Sequence, residues 1–131
     1  MMKNDYILSL EGKFHGYHTR LKELHFSAAS YDLHKIIDDF DEDFLEFDDN
    51  FMEDSQSLFG IIEVGQIKPV LPEELEIEEL LQAIRGTLAD AKTKLKGNLY
   101  TGIHNLIDDF WHTINKTIYL VQIAKKAISK D

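Results

Sequence analysis

Hydrophobic residues recur every three or four positions along most of the chain, which predicts long amphipathic helices. Helix α1 is predicted from about Asn4 to Phe26, and helix α2 from about Tyr31 to Leu58. Ser30 precedes α2 as a natural N-cap, and Gly60 follows it as a C-terminal stop. The predicted apolar faces consist of Ile7, Leu10, Phe14, Tyr17, Leu21 and Leu24 in α1, and of Leu33, Ile37, Phe40, Phe44, Phe47 and Phe51 in α2.

The second half of the chain has the same periodicity and predicts two more helices. Pro72 is expected to begin helix α3, which ends in a lysine-rich turn before Gly97, and Asn98 is expected to cap helix α4. The acids expected to complement the α3 dipole are Glu73, Glu74 and Glu76. The predicted core positions are Leu75, Leu80, Leu81, Ile84, Leu88, Ala91 and Leu95 in α3, and Ile103, Leu106, Phe110, Ile114, Val121 and Ile128 in α4.

Four amphipathic helices predict an all-α four-helix bundle that forms a single domain over residues 1–131. The joints between α1 and α2 and between α3 and α4 are short, which makes each pair antiparallel neighbours. About a dozen residues join α2 to α3, and when extended they reach about 40 Å. Helix α2 is also about 40 Å long. We therefore favour a ferritin-like bundle, in which one long crossover spans the bundle, over a simple up-and-down bundle.

The composition narrows the function further. The 131-residue chain is 44% hydrophobic and contains no cysteine, so it is globular, and any metal must be held by His, Asp or Glu. The net charge of −10 argues against nucleic-acid binding. No apolar run approaches the roughly 20 residues of a membrane span, and the N-terminus lacks the pattern of a signal peptide. A cytoplasmic location is therefore expected.

Acidic residues are concentrated in α2, between Asp38 and Asp54, where no Lys or Arg occurs. Such a helix suffers like-charge repulsion along its length, and bound cations are one way to offset it. His34, Asp38, Asp49 and Glu53 share a stripe beside the apolar face. The spacing of four residues within each pair brings His34 near Asp38, and Asp49 near Glu53.

The two pairs lie about 22 Å apart along the helix, so one chain cannot bring both to a single ion. Two copies of α2 packed antiparallel about a twofold axis near residues 43 and 44 would place each pair opposite the other and form two equivalent sites. His25, near the end of α1, could add an imidazole. Mixed imidazole and carboxylate ligands suit iron, zinc or manganese. Iron with open coordination positions can pass electrons to peroxide or oxygen.

These residues resemble the ferroxidase signature of Dps proteins, the miniature ferritins of starved bacteria. The resemblance rests on the run HKIID from His34 to Asp38, the run DNFME from Asp49 to Glu53, and a preceding Leu-His pair that ends at His25. It implies that His25, His34 and Asp38 come from one subunit, and Asp49 and Glu53 from its partner. It further implies a dodecameric cage, built from twofold dimers, that oxidises iron(II), preferably with peroxide, and stores iron(III).

The chain also departs from the Dps pattern. The joint between the two histidines is about three residues shorter than usual, and the crossover is too short for the small helix that the family places there. No lysine-rich N-terminal arm is present, which argues against DNA binding. The compact form resembles short Dps-like proteins found in phage genomes.

Other interpretations remain open from the sequence. His34 with Asp38, and Asp49 with Glu53, each match an ordinary solvated helix face. The alternative function is a ferritin-like assembly or interaction protein without iron storage. His15 and His18 are expected at surface and border positions. A second ladder on α4, formed by His104, Asp108 and His112, is expected to be solvated, with a secondary metal site as the alternative.

Overall fold

The computed structural model describes residues 3–73 and 75–129, and this part of the chain is helical without any β-strand. The four α-helices are α1 (Lys3–Phe26), α2 (Tyr31–Phe59), α3 (Ile77–Lys94) and α4 (Thr101–Ser129), with a 3₁₀ turn at Asn98–Tyr100. Helix α1 packs against α2 and α3, and α4 packs against the same two helices. The predicted all-α class and four-helix bundle are confirmed.

Aromatic side chains fill the core where α1, α2 and α4 meet. The ring of Phe14 makes edge contacts with Phe44 and Phe51, with centroids 5.6 and 5.5 Å apart. Phe110 of α4 stacks on Phe47 of α2 at 4.6 Å. Each fully buried ring stabilises the fold by roughly 1.5–3 kcal/mol relative to an exposed one. The phenylalanine stripe of α2 is therefore the centre of the bundle.

The predicted ends of α2 are confirmed to within one residue. The Ser30 hydroxyl accepts a hydrogen bond from the backbone N–H of Leu33 at 3.2 Å, which satisfies a donor of the first turn. Gly60 adopts a φ of 100°, and its N–H donates to the carbonyl of Gln56 at 2.9 Å. A left-handed φ favours glycine because a side chain would be strained there.

The predicted start of α3 at Pro72 is wrong, because the helix begins at Ile77. Pro72 belongs to the connection, where its carbonyl accepts a hydrogen bond from Nε of Arg20 at 3.1 Å. A capping box forms instead between Glu76 and Glu79 and fixes the helix start there. Glu73, which was expected in the first turn, consequently precedes the helix. Leu75 also precedes the helix and is partly buried. Glu74 lies outside the described residues.

The connection between α2 and α3 runs along α1. The N–H of Val70 donates to the carbonyl of Gly12 at 2.9 Å. A Cβ on Gly12 would stand 2.3 Å from the carbonyl oxygen of Lys68, and one on Gly16 would stand 1.8 Å from that of Val70. These two glycines cost helix propensity, but only glycine lets the connection lie this close to α1.

Contacts at the two ends of the bundle give the helix directions. Tyr6, at the start of α1, lies 3.4 Å from Asp90, near the end of α3. Lys125, near the end of α4, lies 3.2 Å from Glu78, at the start of α3. Helix α3 is therefore antiparallel to both α1 and α4, and the connection returns the chain to the end where α2 began.

Helix α4 extends beyond the start of α3 by about one turn. Ile128 lies in this extension and is 40% exposed, so its predicted core position is wrong. The predicted cap at Asn98 is replaced by the 3₁₀ turn. None of the helices in residues 3–73 and 75–129 is long and apolar enough to cross a membrane.

Candidate metal centre

His25 and His34 face each other across the joint between α1 and α2. Nδ1 of His25 lies 3.2 Å from the carbonyl oxygen of His34, and Nδ1 of His34 lies 2.9 Å from the carbonyl oxygen of His25. A carbonyl oxygen only accepts, so both rings donate from Nδ1, and each neutral ring has a lone pair on Nε2. The rings stack with centroids 3.8 Å apart. The hairpin thus fixes two imidazoles in a metal-binding tautomer.

Asp38 lies one turn after His34 on the same helix. Its Oδ1 is 4.0 Å from Nδ1 of His25, so three of the five predicted ligands gather at this end of the bundle. The carboxylate faces the protonated nitrogen of His25, not the free Nε2. Within one chain, the His34 carbonyl orients the imidazole of His25, and the ligand atoms of His25, His34 and Asp38 do not converge on one point.

Asp49 and Glu53 lie further along α2 and are both exposed. Asp49 lines a cavity of about 360 Å³ between α1, α2 and the connection. The helical rise places this pair about 22 Å from His34 and Asp38. A single chain therefore keeps the two halves of the predicted ligand set apart.

A different group of potential ligands does converge within the chain, and sequence reasoning missed it. Glu11, His15 and Asp48 place one ligand atom each within 4.8 Å of one another, and no other such group occurs among the described residues. Nε2 of His15 lies 3.1 Å from Oε1 of Glu11. Glu11 is only 4% exposed although it carries a carboxyl group.

Two oxygens of this group, Oε2 of Glu11 and Oδ1 of Asp48, are buried without a hydrogen-bond partner. Burial raises the pKa of Glu11 to about 10, and the adjoining Asp48 carboxyl acts in the same direction. Burial also raises the pKa of Asp48. Two buried carboxyl groups in contact favour the binding of a positive species, which is a shared proton or a metal cation.

A further pair, of a half-buried histidine and a buried acid, lies beside this group. Nδ1 of His18 is 2.6 Å from Oδ1 of Asp41, which is 4% exposed. The sequence does contain a signal for these contacts. Residues 11, 15 and 18 share one edge of α1, and residues 41 and 48 recur seven apart on α2. The prediction that His15 and His18 are surface and border residues is confirmed, since His15 is exposed and His18 is half-buried. It did not include the contacts that they make with acids on the facing helix edge.

Comparison with protein-family models, curated proteins and solved structures finds no significant match for this chain. The case for metal binding therefore rests on donor chemistry and geometry. Imidazoles and carboxylates lie near one another at both places between α1 and α2, but only Glu11, His15 and Asp48 converge within the chain. Such mixed donors suit divalent transition metals.

The second ladder, on α4, does not form a convergent group. Nε2 of His104 donates to the carbonyl of Leu95, and Asp108 accepts a hydrogen bond from Lys92. His112 is exposed. Contacts between α3 and α4 thus occupy two of the three ladder residues.

Proposed function

We propose that the chain is a Dps-like, ferritin-like subunit that binds iron(II) where two copies meet, oxidises it and stores iron(III) in a cage. The observation that carries this proposal is the reciprocal bonding of His25 and His34, which leaves two Nε2 lone pairs available beside Asp38. The backbone itself sets both tautomers, so the imidazoles are prepared for a cation before one arrives.

The exposed position of Asp49 and Glu53 supports a shared site. Both carboxylates are open to a partner, and both lie too far from His25 to serve it within one chain. Antiparallel pairing of α2 with its copy would bring Asp49 and Glu53 of one subunit to His25, His34 and Asp38 of the other. Twofold dimers of this kind are the units from which we expect a dodecamer to assemble.

The path of the chain supports the ferritin-like part of the proposal. The connection follows α1 from Gly12 to Arg20, so α2 and α3 run in the same direction on opposite corners of the bundle. All four neighbouring helix pairs are antiparallel. A ferritin-like bundle with one long crossover has this arrangement.

Iron(II) is the substrate in this proposal. The imidazoles and carboxylates would hold it with open positions for an oxidant. Hydrogen peroxide accepts two electrons, so two iron(II) ions are oxidised to iron(III) for each peroxide, which is reduced to two hydroxide ions. The same donors also accept zinc or manganese, so metal analysis of the purified protein identifies the native ion.

One observation favours the alternative, an assembly protein of the same fold that stores no iron. Oδ1 of Asp38 faces Nδ1 of His25, and the ligand atoms of one chain do not converge. In that case the histidine pair only fastens the joint between α1 and α2. The protein would then form the same dimers without oxidising iron.

A complementation experiment separates the two functions. The variants His25→Gln/His34→Gln and Asp49→Asn/Glu53→Gln each disable one half of the site, so each homo-oligomer should lose iron(II) oxidation by peroxide. Co-expression of both variants with different tags should restore about a quarter of the wild-type activity, since only mixed dimers contain one intact site.

The matched control is Glu42→Gln/Glu46→Gln, which removes two exposed charges from the same helix and should retain full activity. Light scattering follows assembly in every sample. A wild-type protein that assembles but oxidises no iron(II) would support the alternative function. Full activity in Asp49→Asn/Glu53→Gln would refute the shared site.

A further inference from the structure

A second potential site lies inside each chain, at the α1–α2 interface. Glu11 and His15 are one turn apart on α1, and Asp48 reaches them from α2, so that their ligand atoms lie within 4.8 Å of one another. This group lies several turns of α2 away from His34. It shares no residue with the five predicted ligands of the intersubunit site.

The group is more than a cluster of acids, because its buried oxygens lack partners. Glu11 is 96% buried, and its Oε1 contacts Nε2 of His15, while its Oε2 has no hydrogen-bond partner. Oδ1 of Asp48 is buried and unpartnered as well. A buried acceptor without a partner is unfavourable, so two of them beside an imidazole favour the binding of a cation.

The surroundings of these oxygens are acidic and favour a positive ligand. Asp48 adjoins Glu11, and Asp49 lines the cavity beside it. A cation between Glu11 and Asp48 would replace the proton that the two carboxyl groups otherwise share.

A cation also has a route to the group. A cavity of about 360 Å³ adjoins Glu11 and is lined by Asp49, Gln56 and Glu63, among others. It is bounded by α1, α2 and the connection, and it holds enough space for a hydrated ion. Its acidic lining favours the entry of cations over anions.

We infer that Glu11, His15 and Asp48 form an intrachain site for a divalent transition-metal cation, separate from the proposed intersubunit iron site. One imidazole nitrogen and two carboxylates favour iron(II), manganese(II) or zinc(II), with water completing the coordination. Binding would join α1 to α2 near the middle of the bundle and would stabilise the folded chain by mass action.

Zinc(II) titration by calorimetry tests this site in the His25→Gln/His34→Gln background, where the intersubunit site has lost its imidazoles and keeps only its carboxylates. This background should bind one zinc(II) per chain, and zinc(II) should raise its unfolding temperature. Adding His15→Gln or Asp48→Asn should weaken binding at least ~10-fold and abolish the temperature shift. The control His18→Gln, on the same edge of α1, should retain both.

Unchanged zinc(II) binding in the His15→Gln and Asp48→Asn variants would overturn the inference, as would a background that binds no zinc(II). In the latter case Glu11 and Asp48 share only a proton. Anomalous diffraction from zinc-soaked wild-type crystals gives an answer even if a variant does not fold. A peak roughly 2.0–2.3 Å from Nε2 of His15 and from the carboxylate oxygens supports the site, and peaks only elsewhere refute it.

The outcome is independent of the proposed function. Loss of iron(II) oxidation in His25→Gln/His34→Gln with retained zinc(II) binding would support both sites. Zinc(II) binding without any iron(II) oxidation by the wild type would support this site and refute the ferroxidase proposal.

Discussion

Nδ1 of His18 donates a hydrogen bond of 2.6 Å to Oδ1 of Asp41, and this contact joins α1 to α2 inside the bundle. Asp41 is 4% exposed, whereas the His18 side chain is 31% exposed. The imidazole therefore gives the buried carboxylate a hydrogen-bond partner, while the imidazole itself retains contact with water. An unpaired carboxylate at this depth is costly because burial removes its hydration.

Replacing His18 with Ala should lower the free energy of unfolding by about 2–3 kcal/mol, because Asp41 would stay buried without its partner. In an Asp41→Asn background the same replacement should cost much less. Urea denaturation of the two single variants and the double variant measures this coupling. The exposed pair of Arg20 and Glu23 supplies the control, since Glu23→Gln should cost less than ~1 kcal/mol. Equal effects of His18→Ala in both backgrounds would show that His18 does not stabilise the carboxylate of Asp41.

Gly16 and Gly86 offer a matched pair of helix substitutions. A Cβ at Gly16 would meet the carbonyl oxygen of Val70 at 1.8 Å, whereas one at Gly86 would meet nothing within 4 Å. Gly16→Ala should therefore destabilise the protein by about 1–3 kcal/mol or displace the connection. Gly86→Ala should stabilise it by up to ~1 kcal/mol through helix propensity. Thermal unfolding of both variants measures the contrast, and stabilisation by Gly16→Ala would show that the connection does not pack on α1.

The features that the sequence predicted well depend on local chain geometry. Ser30 caps the start of α2 with its side chain, and Gly60 ends the helix through its backbone conformation. His34 and Asp38 are neighbours on any helix because they are four residues apart. The start of α3 could not be predicted in this way. Pro72 is a good first helical residue in isolation. In the fold it packs near Gly16 of α1, and this contact joins residues that are far apart in the sequence.

The candidate metal sites also depend on contacts between distant parts of the chain, which local patterns do not predict. Glu11 and Asp48 meet only because α1 and α2 have one particular rotation about their axes, and hydrophobic periodicity does not fix that rotation closely enough. Charge alone also made Glu11 an improbable core residue, since buried acids are rare without partners. The association of Asp49 and Glu53 with His25 depends on a second copy, so it stays a prediction.

Tyr6 provides a prediction at alkaline pH. Burial, followed by the nearby Asp90, raises its pKa from 10.0 to about 12. Between these two pH values the folded chain therefore retains the phenol proton of Tyr6, which the unfolded chain has already lost. This contribution to stability is present below pH 10 and is lost as the pH rises from 10 to about 12. Tyr6→Phe should remove this part of the alkaline decline in stability, as measured by urea denaturation across that pH range.

Tyr119, which is 62% exposed, is the matched control. Tyr119→Phe removes an exposed hydroxyl group and controls for the loss of a phenol, and tyrosinate absorbance should show a late ionisation that is absent from Tyr6→Phe. An alkaline decline in Tyr6→Phe that equals that of the wild type would contradict the role of this phenol.

The histidine tautomers can be measured directly by nitrogen NMR of the imidazole rings. His25 and His34 donate from Nδ1 to each other's carbonyl, so both should show a protonated Nδ1 and a free Nε2. His104 donates from Nε2 to Leu95 and should show the opposite pattern, which makes it an internal control. Zinc(II) should then shift the Nε2 resonances of His25 and His34 but not those of His104. A protonated Nε2 on His25 or His34 would contradict the geometry on which the proposed site depends.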